Sequence, residues 1–216
     1  MLSLRNLQIV TAAIVFTGAA YSQVSATNVT LDGPYQVRYA SNLNVGDSVI
    51  NITNSGARGA GNAAGTSAST TGALCVNVYT FSPDEQMIAC CSCPVTPNGL
   101  VSLSARQDLI SNTLTPAVPT SIVVKLLATA PVGGSCSSSA ASPGALASGM
   151  LAWGTSLHAG ATAGTFYGSE TAFSPASLSA GELTKLTSLC GFINGNGSGF
   201  GICRSCRLGG LGATSR

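Results

Sequence analysis

The chain reads as an exported, disulfide-bonded and mostly β domain: a β-sandwich, immunoglobulin-like or related, with one C-terminal helix. Three observations predict that class. An apolar leader opens the chain, an even set of eight cysteines follows it, and seven or eight short strand-like runs alternate with turn signals.

The leader carries one positive charge, Arg5, before an apolar stretch over 7–20 and a more polar end over 21–26. Val24, Ser25 and Ala26 satisfy the small-residue rule, so cleavage is expected after Ala26. The apolar run falls short of the roughly 20 residues a membrane span needs. No second run of that length follows, and the tail over 208–216 is glycine-rich. The expected map is a signal peptide over 1–26 and a single disulfide-stabilised sandwich domain over 27–216. No stable membrane span is expected after cleavage, and the location is secreted or cell-surface, with the periplasm as a further option.

Cleavage removes Arg5 alone, leaving eight cations against seven acids. A protein that binds nucleic acid needs a basic face to displace counterions, and this chain cannot build one. Its charged fraction is 7%, far below the usual quarter, so Ser, Thr, Asn, Gly and Ala must make most of the surface. Low charge gives little self-repulsion, which suits self-association or contact with cell-surface components.

The first strand is expected where Tyr35, Val37 and Tyr39 alternate with Gln36 and Arg38, after the turn Asp32-Gly33-Pro34. A second spans 48–53, rich in β-branched residues. Asn28, Asn51 and Asn196 each begin a glycosylation sequon. Residues 55–73 are low in complexity and read as a surface loop.

The stretch 74–105 is the organising one. Residues 75–81 place Val76 and Val78 on one face and Tyr79 and Phe81 on the other, as in a strand covered on both sides. Ser82-Pro83-Asp84-Glu85 is a turn, with proline where a type I turn prefers it. Residues 86–93 return as the partner strand, and 100–105 add a third after Thr96-Pro97-Asn98-Gly99. Residues 121–130 form the most continuous apolar run after the leader and read as a core strand. A loose Ser/Ala/Gly loop over 131–148 carries Cys136. Strands over 151–158, with Trp153, and over 165–173 follow. The period then changes. Ser179 and Glu182 make a capping box, and Leu183, Leu186, Cys190 and Ile193 share a helix face that Asn194-Gly195 should end.

The eight cysteines are Cys75, Cys90, Cys91, Cys93, Cys136, Cys190, Cys203 and Cys206. In an exported chain they should form four disulfides, with 105 pairings open. Cys90 and Cys91 are strand neighbours, so they should face opposite sides and take different partners. One could reach across the hairpin to Cys75. Cys190 could staple the helix to a sheet, and Cys203 and Cys206 could return the tail to Cys91 and Cys93. Three sharper uses compete: a metal site at CCSC and CRSC, a redox centre at Cys203 and Cys206, and a vicinal Cys90–Cys91 switch. Oxidation removes the thiolates that zinc needs. The Cys203–Cys206 motif follows a glycine-rich coil instead of opening a helix. Structural disulfides are therefore expected, with no metal and no cofactor.

Catalytic equipment is sparse. His158 is the sole histidine, so any Ser-His or Cys-His hydrolase must use it, and no acid is near in sequence. Asp84 and Glu85 are adjacent but sit in a turn, where acids are ordinary. The glycines at 195, 197, 199 and 201 follow a helix, so they do not match a phosphate-cradling loop between strand and helix.

The block over 72–116, with CVNVYTFSPDEQMIACCSCPVTPNGLVSL, resembles a group of cysteine-rich secreted bacterial proteins, as does the tail LTSLCGFINGNGSGFGICRSC. The resemblance covers about two-thirds of the expected mature chain. It implies export by a bacterium, and it assigns no activity and no site residue. The function expected is a secreted, non-catalytic structural or cell-surface protein that self-assembles. A glycan- or small-ligand-binding module is the alternative, and a pocket near Trp153, Phe166 or Tyr167 would favour it.

Intact mass spectrometry of secreted protein should give a chain beginning at Thr27. Reduction should add one hydrogen for each of the eight cysteines. A smaller gain would reveal free thiols.

Overall fold

The computed structural model describes residues 30–60 and 71–206. The expected signal peptide and its cleavage point, the Asn28 sequon, the centre of the 55–73 loop and the 208–216 tail lie outside them.

Among the described residues, nine strands are followed by one long helix. The strands are β1 (Tyr35–Ala40), β2 (Val49–Asn54), β3 (Leu74–Phe81), β4 (Met87–Val95), β5 (Leu100–Ser104), β6 (Ile122–Thr129), β7 (Met150–Ala159), β8 (Phe166–Ala172) and β9 (Ser174–Pro175). The helix is α1 (Ala180–Gly195). A five-stranded sheet in the order β4-β3-β6-β1-β9 faces a four-stranded sheet in the order β5-β2-β7-β8, and all pairs are antiparallel. The mostly-β sandwich is the class the sequence predicts. Its strand order differs from the immunoglobulin ABED and CFG sheets, so the relation to that fold is one of architecture. The first six strands nest: β3 pairs with β4, β2 with β5 and β1 with β6.

The main core lies between the sheets, where Val76, Val78, Leu126, Ile50, Ile52 and Leu103 are all buried. A second core lies on the far face of the five-stranded sheet. There α1 sets Leu183, Leu186, Cys190 and Ile193 against Tyr35, Tyr79, Phe81 and Leu127. The five-stranded sheet is thus apolar on both faces, which explains why every residue of β3 is buried.

Helix α1 begins as its capping box requires, with Ser179 Oγ accepting from the Glu182 N–H at 3.1 Å. Glu182 also meets Lys125 of β6 at 2.6 Å. The helix outlasts the expected stop: it runs through Gly195, and Gly197 rather than Gly195 adopts the left-handed backbone, with φ +79°.

Three further expectations are corrected. In β1 the residues facing the sandwich interior are Gln36, Arg38 and Ala40. Tyr35 packs under α1, while Tyr39 is 62% exposed. A strand covered on both sides escapes a simple in-out alternation. Strand β5 does not extend the hairpin; it pairs with β2 in the opposite sheet. The turn over 96–99 makes that corner, with Asn98 left-handed at φ +60° and its N–H bonded to the Asn54 carbonyl at 2.8 Å. The 131–148 segment is pinned by short 3-10 turns, by Cys136, and by the Tyr79 hydroxyl, which donates to the Ser138 carbonyl at 2.7 Å. Burial first, then Tyr35, pushes the Tyr79 phenol far above its usual pKa and keeps it a donor.

After α1 the glycine-rich chain runs parallel to the outer edge of β4, bridging at Ser92 and Ile202. Edge strands carry unpaired backbone groups that must be covered. Here Phe200 N–H donates to the Cys90 carbonyl at 3.0 Å and Cys203 N–H to the Ser92 carbonyl at 3.0 Å. Gly199 makes the close approach possible. Its φ is +66°, and a Cβ there would lie 2.8 Å from the Cys90 carbonyl oxygen.

Gly199→Ala should therefore cost about 1–3 kcal/mol from backbone strain alone. Gly195→Ala should be nearly neutral, since nothing lies within 4 Å of its Cβ position. Urea titration of both variants checks the contrast. Removing the helix staple with Cys90→Ala and Cys190→Ala together should cost about 2–5 kcal/mol in the same measurement.

Candidate functional site

The cysteines form four disulfides: Cys75–Cys136, Cys90–Cys190, Cys91–Cys203 and Cys93–Cys206. Cys90 lies opposite Tyr79 on the helix-facing side of β4, and Cys91 lies opposite Val78 on the interior side. The neighbours thus take different partners on opposite faces, one in α1 and one in the tail. Cys75 does not join across the hairpin. It sits opposite Pro94, four rows from Cys90, or about 13 Å along a strand. A disulfide tolerates no more than about 7 Å between Cα atoms. Cys75 instead captures Cys136. The sulfurs of Cys93, Cys203 and Cys206 lie within 4.8 Å of one another, the closest approach to a metal-like cluster among the described residues. All three are consumed by disulfides and offer no thiolate to a metal.

A two-sheet sandwich has two open seams, where the edges of its sheets meet. One lies between β4 and β5, and the cysteine tail seals it. Asp108, buried in a π-helical turn over Ala105–Leu109, holds that seal. One carboxylate oxygen accepts from the Ser205 N–H at 2.8 Å. The other accepts from the Ser205 hydroxyl at 2.7 Å and the Ser104 N–H at 2.9 Å. Three donors from two chain segments compensate the burial of one charge.

The other seam lies between β1 with β9 and β7 with β8. The chain crosses it once at Phe173, which is buried, passing directly from β8 to β9. Beyond that crossing the seam stays open as a cleft of about 590 Å³. β9 pairs only with Gln36 and Val37, so the remaining edge of β1 lies along the cleft.

The cleft has apolar walls at Val37, Val123 and Ala172, among which a few polar side chains converge. Arg38 reaches inward from β1; its Nε donates to Thr171 Oγ1 and its Nη2 to Ser156 Oγ, each at 3.2 Å. The guanidinium lies across Gly154 of β7. A Cβ at that position would stand 2.4 Å from Nη1, so a larger residue would displace the guanidinium from this place. Burial pulls the Arg38 pKa below its usual value, against the opposing effects of Tyr39 and Glu170. On the far wall His158 Nε2 meets Ser169 Oγ at 2.8 Å, and its ring stacks on Tyr167 with centroids 5.4 Å apart.

This geometry bears on the candidate residues from the sequence. His158 lines the cleft; Tyr167 stacks on its ring but, like Phe166, does not line the cleft itself. Nor does Trp153: Ala152 and Gly154 point inward, so Trp153 stands on the outer face of the four-stranded sheet, 36% exposed. His158 has a serine neighbour, but its hydrogen bonds include no carboxylate. The adjacent Glu170 points the other way and accepts from Asn51 Nδ2 at 2.8 Å. Asp84 bonds the hydroxyl of Ser82 within its own turn. Sequence reasoning missed Arg38, Ser156, Ser169 and Thr171. The one available signal was Gly154, since a glycine inside a strand often marks a close approach.

The chain matches no protein-family model, and no curated protein or solved structure was found similar to it.

Proposed function

We propose that the protein is an exported bacterial binding module, non-catalytic and held rigid by its disulfides, that takes a small ligand or glycan in the cleft between β1 and β8. The observation that carries this reading is the contrast between the seams. One is closed by two disulfides and a buried aspartate, whereas the other is left open over about 590 Å³ and faced with hydroxyls, an imidazole and a guanidinium. That volume is within the range of ligand sites, and convergent polar groups in a concavity are their usual mark. Four disulfides fit an oxidising compartment outside the cytoplasm. No helix among the described residues is long and apolar enough to cross a membrane.

The structural, self-assembling role has its own support. On the outer face of the four-stranded sheet, Leu100 is 48% and Trp153 36% exposed, on a surface poor in repelling charge. Mature protein should then show concentration-dependent association in sedimentation velocity, weakened by Trp153→Lys. A monomer at every concentration would remove this second reading.

For the binding role, a glycan and metabolite array probed with mature protein should return hits that Ser169→Phe abolishes by filling the cleft. Trp153→Ala should leave those hits in place. An array without hits, or hits indifferent to Ser169→Phe, would overturn the reading.

A further inference from the structure

The Arg38 guanidinium is the chain's most unusual charge. All seven carboxylate side chains lie among the described residues, and the only ion pair there joins Lys125 to Glu182. Arg38 is half-buried, yet its hydrogen-bond partners are two neutral hydroxyls. Withdrawing a cation from water is costly unless an anion accompanies it. The nearest acid in effect, Glu170, tempers that cost only from the other face of β8, where its carboxylate is engaged by Asn51. A strand glycine makes room for the guanidinium.

The lining supplies donors in surplus. Arg38 uses Nε and one Nη2 proton on its neighbours, which leaves the Nη1 protons and the second Nη2 proton. Ser156 and Thr171 accept from Arg38, and each keeps its own hydroxyl proton to give. The His158–Ser169 pair adds a further hydroxyl and an imidazole on the opposite wall. No carboxylate lines the cleft. A planar guanidinium with adjacent hydroxyls suits a carboxylate. The remaining hydroxyls and the His158 imidazole suit a polyhydroxylated ring that bears it.

Resting on the binding role of this cleft, we propose that the cleft recognises the carboxylate of an acidic sugar, a hexuronate, with Arg38 as its counter-ion. Arg38 faces the acid group, while Ser156, Ser169 and Thr171 meet the ring hydroxyls.

The chain carries its own reporters. His158 is the sole histidine and lines the cleft; Trp153 is the sole tryptophan and faces away. The test is an NMR titration of mature protein with glucuronate, glucose and acetate. Glucuronate should shift the His158 ring signals and leave the Trp153 indole unmoved. Its affinity should exceed that of glucose and of acetate at least tenfold. Arg38→Gln should erase that preference, and Arg38→Lys should restore it in part. Arg58→Gln, remote from the cleft, should change nothing. Thr171→Val, which spares the guanidinium, guards against misfolding of the Arg38 variants: it should weaken glucuronate several-fold with the Tm unchanged. Glucose binding as tightly as glucuronate would overturn the charge recognition while leaving a ligand cleft. Acetate binding as tightly would overturn the sugar. Silence of His158 towards all three would overturn the hexuronate site, and array hits that Ser169→Phe abolishes would then still sustain the cleft's binding role.

Discussion

Everything in this molecule depends on the alternation of side chains along β4. Successive residues of a strand point to opposite faces. Cys90 and Cys91 therefore address two different layers from adjacent positions in the chain. Through Cys190, Cys90 ties the helix to one face of the five-stranded sheet. Through Cys203 and Cys206, Cys91 and Cys93 draw the tail into the other. A one-residue slip in the pairing of β3 with β4 would exchange these faces and break all three links at once.

The disulfides act on top of a core that is already apolar on both sides of that sheet. Their loops span 100 residues or more for the three bonds made by β4. Loops of that size remove the most entropy from the unfolded chain in the chain-entropy model. The same bonds cover the exposed edge of β4, which would otherwise invite strand pairing with other molecules. A chain with 7% charged residues has few other defences against such pairing.

The two seams differ in how a charge is compensated. At β4 and β5, a buried carboxylate finds three donors within hydrogen-bond distance and its charge is compensated internally. At β1 and β8, a guanidinium lies in an open cleft with neutral neighbours only. The fully buried charge is compensated within the fold, and the half-buried one is not. The first charge is part of the fold, and the second is what the proposed ligand would complete.

Local rules sufficed for much of this. Turn residues and β-branched runs located eight of the nine strands to within a few residues. The capping box and apolar period located the helix, and the adjacency of Cys90 and Cys91 determined that they part company. These features depend on neighbours in the chain, so they are written in it. Only the tertiary structure decided that β5 crosses to the other sheet, that Cys75 takes Cys136, and that β1 turns Arg38 inward. It also decided that the His158 and Arg38 walls meet across one cleft, though 120 residues separate them in the chain. Each of these follows from which strands lie side by side, and that is settled by the packing of two cores around one sheet. No periodicity within a single strand encodes it.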